Sequence, residues 1–177
     1  MKTISLYDVT VPVFVKQLTN MSVILDKAEA FAKERGFEAD MFVQDRLAVD
    51  QYPLVRQVQI ACDNAKSATA RLAGMEPPKM EDNETTLAEL KARIAKTLEF
   101  IQSVKPEEID GKEGAPIPIF FAPGKILPGI EYALQFILPN FFFHCATAYD
   151  IIRKNGVAIG KMDYIGQINL QDAPAAK

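Results

Sequence analysis

Residues 137–148 read Ile-Leu-Pro-Asn-Phe-Phe-Phe-His-Cys-Ala-Thr-Ala, and this stretch decides the fold. Around it, apolar side chains recur at Ile130, Leu134, Ile137, Phe141, Ala148 and Ile151, with His144 taking one place in the series. Steps of four and three lay one stripe along one face of an α-helix. The pattern runs from about Gly129 to Lys154 and stops at Asn155-Gly156. Pro139 lies inside it. Proline removes one backbone donor and crowds the preceding turn, so a kink is predicted near Gln135 to Pro139. Phe141, Phe142 and Phe143 span almost a full turn, so at least one ring faces away from the core. His144 is the only histidine of the chain, and it sits on the apolar face rather than the polar one.

Three more stripes precede this one. From about Tyr7 to Arg35, Tyr7, Val11, Phe14, Leu18, Met21, Leu25, Ala28 and Ala32 alternate in the same way, with Gly36 as the stop. Asp8 or Thr10 is available as a cap, and Pro12 is tolerated in a first turn. A polar stretch from Phe37 to Gln51 follows, with a helical turn over Glu38 to Phe42. The second helix opens near Pro53, with Asp50 or Gln51 as caps, and ends at Gly74. Its stripe is Leu54, Val58, Ala61, Ala65, Ala68 and Leu72. The three alanines make a small-residue face that lets another helix come close or leaves room for a ligand. Met75 to Thr85 reads as a loop. Thr86 with Glu89 matches a capping box, and Leu87, Leu90, Ile94, Leu98 and Ile101 carry the third helix to Ser103. Between helices three and four, Ile117 to Phe121 and Lys125 to Leu127 flank Pro123-Gly124, which suits the centre of a type II turn. The fold class that follows is all-α: an up-and-down four-helix bundle with a short β-hairpin between helices three and four. Residues 1–166 form the single domain, and 167–177 a tail, with Ala173 to Lys177 disordered.

The bulk composition narrows the function. The chain has 177 residues, 49% hydrophobic and 24% charged, with a net charge of −3. No basic surplus exists to hold a phosphate backbone, so no nucleic-acid partner is expected. No apolar run reaches the roughly 18 residues of a membrane span, and no membrane association is expected. Met1-Lys2-Thr3-Ile4 lacks the apolar stretch of a secretion signal, and two cysteines, Cys62 and Cys145, form no disulfide framework; a cytoplasmic location is the expectation.

The candidate pocket gathers around His144. Asn140 lies one turn earlier, Tyr149 lies beyond it, and Gln57 and Asn64 stand on the shoulder of the alanine face of helix two. A kink, a small-residue face and a few polar groups are what a pocket between bundle helices requires. The plainer reading is a core histidine satisfied by one or two hydrogen bonds. Metal chemistry is disfavoured. A three-histidine site needs three imidazoles, and a carboxylate-bridged pair of metals needs Glu-x-x-His on two helices; neither is present. Asp40, Asp45 and Asp50 are spaced by five, off any one helical face, and read as loop charges or caps. Cys145 adjoins His144 but diverges from it by about 100° on a helix. Cys62 could approach His144 across the core, although a buried thiol in apolar surroundings is inert. The expectation is therefore no metal and no cofactor.

Three segments carry a resemblance. They are Ser5-Leu6-Tyr7-Asp8 with Pro12-Val13-Phe14, then Tyr52 to Ile60 continuing through Ala70-Arg71-Leu72-Ala73-Gly74, and Leu138 to His144. Together they resemble a bacterial family known as the domain of unknown function numbered nineteen ninety-three, which is similar to the DinB/YfiT-like metalloenzymes. The resemblance reaches to about Gly166. It implies a four-helix bundle, often dimeric. In the wider group it implies a metal held by one histidine on helix two and a His-x-x-x-His pair on a later helix. Here His144 can stand for one member of the pair; its partner position is Asn140 or Ala148. Helix two offers Gln57, Gln59 or Asp63, so the triad is broken. Three functional readings follow: a module binding a small molecule near His144, Asn140, Gln57, Asn64 and Tyr149; an enzyme using His144 as a general base or with an unusual metal site; and a structural or regulatory homodimer.

Overall fold

The computed structural model describes residues 4–173. In chain order its helices are α1 (Val11–Arg35), α2 (Leu54–Ala73), α3 (Leu87–Ser103), the single turn α4 (Pro106–Ile109), the turn α5 (Gly129–Glu131), α6 (Leu138–Lys154) and α7 (Lys161–Ile165). The four long helices, α1, α2, α3 and α6, make the bundle. Phe14, Leu18 and Leu25 of α1 meet Val58, Leu72, Ile94, Ile101, Phe141 and Ile151 from the other three in one buried cluster. Every stripe position predicted for α2 is buried.

Cross-helix contacts fix the directions. Phe14 packs edge-on against Phe141 near the starts of α1 and α6, and Gly156, just past the end of α6, lies against Phe31 near the end of α1. These two helices are parallel. Gln59 near the start of α2 bonds Glu84 just ahead of α3, and Lys112 beyond α3 bonds the Ala73 carbonyl at the end of α2. So α2 and α3 are parallel to each other and opposed to α1 and α6, and the helices run up, down, down, up. The alternation expected of consecutive helices holds at the first and last steps. The long return lies between α2 and α3, over residues 75–86. At about 3.3 Å per extended residue, that segment can run back along α2, which is about 30 Å long.

Local chemistry accounts for the ends. At α1, the Thr10 hydroxyl donates to the Leu6 carbonyl at 2.7 Å, so it does not cap, and the helix starts at Val11 after turns over residues 6–10. At α2, neither Asp50 nor Gln51 caps. The first amides are met by loop carbonyls instead: Leu54 N–H donates to Asp45 at 2.9 Å and Val55 N–H to Val43 at 3.0 Å. The 3-10 turn Ala39–Phe42 forms as predicted, and Asp40 caps the far side of the bundle by accepting from the Leu87 amide at 2.8 Å. The Thr86–Glu89 capping box is complete.

The hairpin pairs β1 (Pro116–Pro118) with β2 (Ile126–Pro128), antiparallel, with Ile117 opposite Leu127. Lys125 N–H donates to the Ala122 carbonyl at 2.9 Å, and Gly124 supplies the φ of 78° that a type II turn needs. Phe120 and Phe121 were expected in the first strand; they lie in the exposed connection. Three of the six strand residues are prolines, which cannot donate to a ladder, so the pairing stays short.

The kink predicted near Gln135 to Pro139 takes the form of a π-helical segment, Tyr132–Ile137, leading directly into α6. Wider turns accommodate a proline that offers no amide to the regular ladder. They also shift the phase of the stripe. Upstream of Ile137 the buried residues are Tyr132 and Ala133, whereas the predicted stripe residue Leu134 is 49% exposed. Beyond α6, α7 packs on α1 through the Asn20–Tyr164 hydrogen bond and the Lys27–Asp163 ion pair. Residues 167–173 take no regular structure and are exposed. The expected disorder of Ala173–Lys177 falls, from residue 174 on, outside the described residues. Among the described residues, no helix is long and apolar enough to cross a membrane.

Candidate functional site

Ala61, Ala65 and Ala68 are fully buried, and their small side chains let α6 lie close along α2. Because the two helices are antiparallel, positions that ascend along α2 meet positions that descend along α6. Gln57 meets His144, with Oε1 2.7 Å from Nδ1, and Asn64 meets Asn140, whose Nδ2 donates to Oδ1 at 3.1 Å. Farther along, Arg71 donates to the Tyr132 hydroxyl at 3.0 Å. The seam between α2 and α6 thus carries a ladder of polar pairs on an otherwise apolar contact.

The ladder assigns the state of the imidazole. Gln57 Nε2 donates to the Tyr52 carbonyl at 2.9 Å, so its Oε1 is the atom turned to His144. An amide oxygen only accepts, so Nδ1 carries the proton and Nε2 keeps a lone pair. Burial pushes the His144 pKa down to about 4, and the nearby Arg56 charge adds to the effect. The ring is neutral across the physiological range. The linkage follows in sign: below about 6.5 the unfolded chain takes up a proton that the folded ring refuses, so stability falls as pH drops from about 6.5 to about 4. The loss is on the order of 2 kcal/mol. Urea titrations of wild type and His144→Gln over that range test it. The difference between them should grow toward acid in favour of the variant; parallel curves would contradict the assignment.

Asn64 is 9% exposed, and its Nδ2 is buried without a partner. His144 is 8% exposed, with the Phe143 ring edge-on at 5.2 Å and Phe143 itself 54% exposed. Phe143 is thus the outward ring of the three; Phe141 is in the core. Tyr149 is not brought to the cluster. It packs edge-on against Tyr164 of α7 at 5.8 Å, because five residues along a helix turn it well off the His144 face. Cys62 is fully buried and bonds Thr97 of α3, and burial pushes its thiol up to about 12. Cys145 is likewise buried, free and raised by desolvation. Asp45 is no free loop charge: hydrogen bonds from Asn155, Lys154 and the Arg46 amide outweigh its partial burial and hold its carboxyl below the usual range. Among the described residues, no three His, Cys, Asp or Glu side chains converge as a metal site does.

One feature of the α2–α3 side escaped the sequence reading. Arg93 is 3% exposed and binds Asp63 at 3.0 Å, Asp82 at 2.9 Å and Glu84 at 2.9 Å, with a further hydrogen bond to the Glu81 carbonyl. Asp82 also pairs with Arg56, Asp63 with Lys66, and Glu84 with Gln59. This network pins the α2–α3 return onto the bundle. Its signal was present: Arg93 stands three residues after Leu90, on the apolar stripe of α3 where a cation needs an explanation.

A family described as a domain of unknown function, DUF1993, matches residues 6–165. Among solved structures, one described as a DinB family member protein from Shewanella denitrificans is 45% identical, covers 95% of this chain and 96% of its own, and superposes with a TM-score of 0.90. No curated protein matches the chain.

Proposed function

We propose, from the premise that this chain belongs to the DUF1993 family of DinB-like bundles, that it works without a bound metal as a small-molecule-binding module. The observation that carries the reading is the 2.7 Å contact between His144 Nδ1 and Gln57 Oε1. The wider group's metal would need imidazoles from helix two and the later helix. Here the places are held by Gln57, Gln59 or Asp63 on helix two and by Asn140 or Ala148 beside His144; Gln57 is engaged with the one imidazole, Asn140 with Asn64, Gln59 with Glu84, and Asp63 with Lys66 and Arg93. Amide groups are weak ligands for transition metals, and this donor set does not fit one.

What the seam offers instead is a paired recognition element. His144 Nε2 is an acceptor, the buried Asn64 Nδ2 is a donor, and the exposed Phe143 ring gives an apolar face. The complementary ligand is a neutral molecule carrying a donor and an acceptor side by side, such as a carboxamide. Benzamide is a suitable probe. Titrated into the labelled protein, it should shift the side-chain NH2 of Asn64 and the His144 ring together, with benzoate far weaker. Stoichiometric uptake of Zn2+ or Ni2+, lost in His144→Ala, would sink the reading.

An enzymatic role for His144 as general base is the less favoured reading, since a base works best with a pKa near the working pH and this one lies near 4. A homodimer is the other. It is favoured by the exposed Phe120, Phe121 and Leu134, with the Phe121 ring tilted against Phe136 at 5.2 Å. Light scattering tests it: a dimer that Phe121→Glu dissociates supports it, and a monomer at high concentration removes it. Two buried free thiols suit a reducing cytoplasm.

A further inference from the structure

From Ala133 to Phe143 the chain carries no ionisable side chain, although part of this stretch lies on the surface. Leu134, Pro139 and Phe143 are exposed, and Phe136 and Asn140 are half-buried. The wider turns of the π-helical segment bring Leu134 and Pro139, five residues apart, toward one side, and Phe143 follows one regular turn later. The outer line of the helix is therefore apolar over roughly 13 Å. At the end away from His144, the exposed Phe121 of the hairpin connection tilts its ring against Phe136 at 5.2 Å. Phe136, Asn140 and His144 follow one another at about one turn, so this aromatic wall is reached from His144 along one shoulder of the helix.

Such a face takes either a second protein surface or a ligand, and the polar atoms beside it decide between them. Asn140 donates through Nδ2 to Asn64, and its Oδ1 has no partner among the described residues. His144 keeps a lone pair on Nε2 while Nδ1 serves Gln57. A dry, apolar protein surface laid over these two acceptors would take away their water and return nothing, which is costly. A primary amide carries two N–H donors on one nitrogen, enough for both acceptors. It also brings no charge to a strip that has none to pair with it. We infer that the ligand of the seam is an elongated primary amide, its NH2 shared between His144 Nε2 and Asn140 Oδ1 and its unbranched apolar body running along the helix to Phe136 and Phe121. Such a ligand presupposes the binding role proposed above for the seam, and it makes Phe121 the residue that selects for chain length.

NMR titration of the isotopically labelled full chain tests this with propionamide, hexanamide and hexanoate, in wild type and in Phe121→Ser. Both amides should shift the His144 ring and the Asn140 side chain together. Hexanamide should bind about tenfold tighter than propionamide, because its further methylenes are taken from water. Hexanoate, which has no N–H, should bind at least about tenfold weaker than hexanamide. Phe121 is exposed, so Phe121→Ser leaves the fold intact, and it should bring hexanamide down to the affinity of propionamide. Failure of both amides to shift either residue overturns the assignment and the seam reading with it. Equal affinities for the two amides, hexanoate as tight as hexanamide, or a hexanamide advantage kept in Phe121→Ser overturn the assignment and leave the seam reading standing. Light scattering on the same samples covers the remaining occupant: a dimer that Phe121→Ser dissociates and hexanamide does not would give the face to a second copy and overturn it as well.

Discussion

Phe141→Ala is expected to lower the free energy of unfolding by about 4 kcal/mol. The side chain is fully buried, stands one half-turn past Pro139, and packs its ring edge-on against Phe14 at 4.9 Å. It fastens α6 to α1 at the point where the helix recovers regular geometry after the π-helical turns. Truncation removes the transfer energy of the ring, the aromatic contact and the packing of both neighbours, and the surrounding helices cannot collapse fully into the space. Phe143→Ala, two residues on, should change stability by no more than about 0.5 kcal/mol, because that ring is largely in solvent. Urea unfolding of both variants checks the pair. Similar losses for the two would mean that the register of α6 is not the one described.

Arg93→Met is expected to cost about 3 kcal/mol, again by urea unfolding. The methionine fills much of the space but leaves Glu84, whose side chain is only 10% exposed, without its cation. Asp63 and Asp82 are better hydrated, at 36% and 39%, and keep Lys66 and Arg56, so they add little to the loss. Removing the stranded charge as well should restore part of the stability: Arg93→Met with Glu84→Gln is predicted to be more stable than the single variant. Arg93→Lys should not rescue, since one ammonium cannot replace a fork that reaches three carboxylates at once. A double variant less stable than Arg93→Met would show that Glu84 is held by something other than this guanidinium.

The stripes of all four helices were legible because each buries one face, and a buried face writes a period of 3.6 into the chain. The small-residue face of α2 announced the close approach of α6, and Gln57, Asn64, Asn140 and His144 could be placed near it by helical phase alone. What phase cannot carry is direction. Nothing local distinguishes a return along α2 from a turn at its end, so the parallel α2–α3 pair had to come from the tertiary contacts of Gln59 and Lys112. The π-helical turns were invisible for a related reason: Pro139 signals a disturbance, but whether the helix bends or widens depends on how Tyr132 and Ala133 pack. Leu134 was misplaced by that one unregistered shift. Tyr149 was assigned to the pocket on nearness in sequence, against its own helical phase. Arg93 is a charge on the apolar stripe of α3 whose carboxylate partners Asp82 and Glu84 come from the loop that covers it, and helical phase does not place a loop.

The central claim is that His144 is a neutral imidazole held through Nδ1 by Gln57 in place of a metal ligand. The chain has one histidine, so the imidazole nitrogens of the untagged protein give a single unambiguous pair of signals in a long-range 1H–15N NMR spectrum. The account predicts a protonated Nδ1 and a bare Nε2 from pH 5.5 to 8, unchanged by equimolar Zn2+. A ring that is charged at pH 6, that carries its proton on Nε2, or whose nitrogens shift on adding zinc would contradict it.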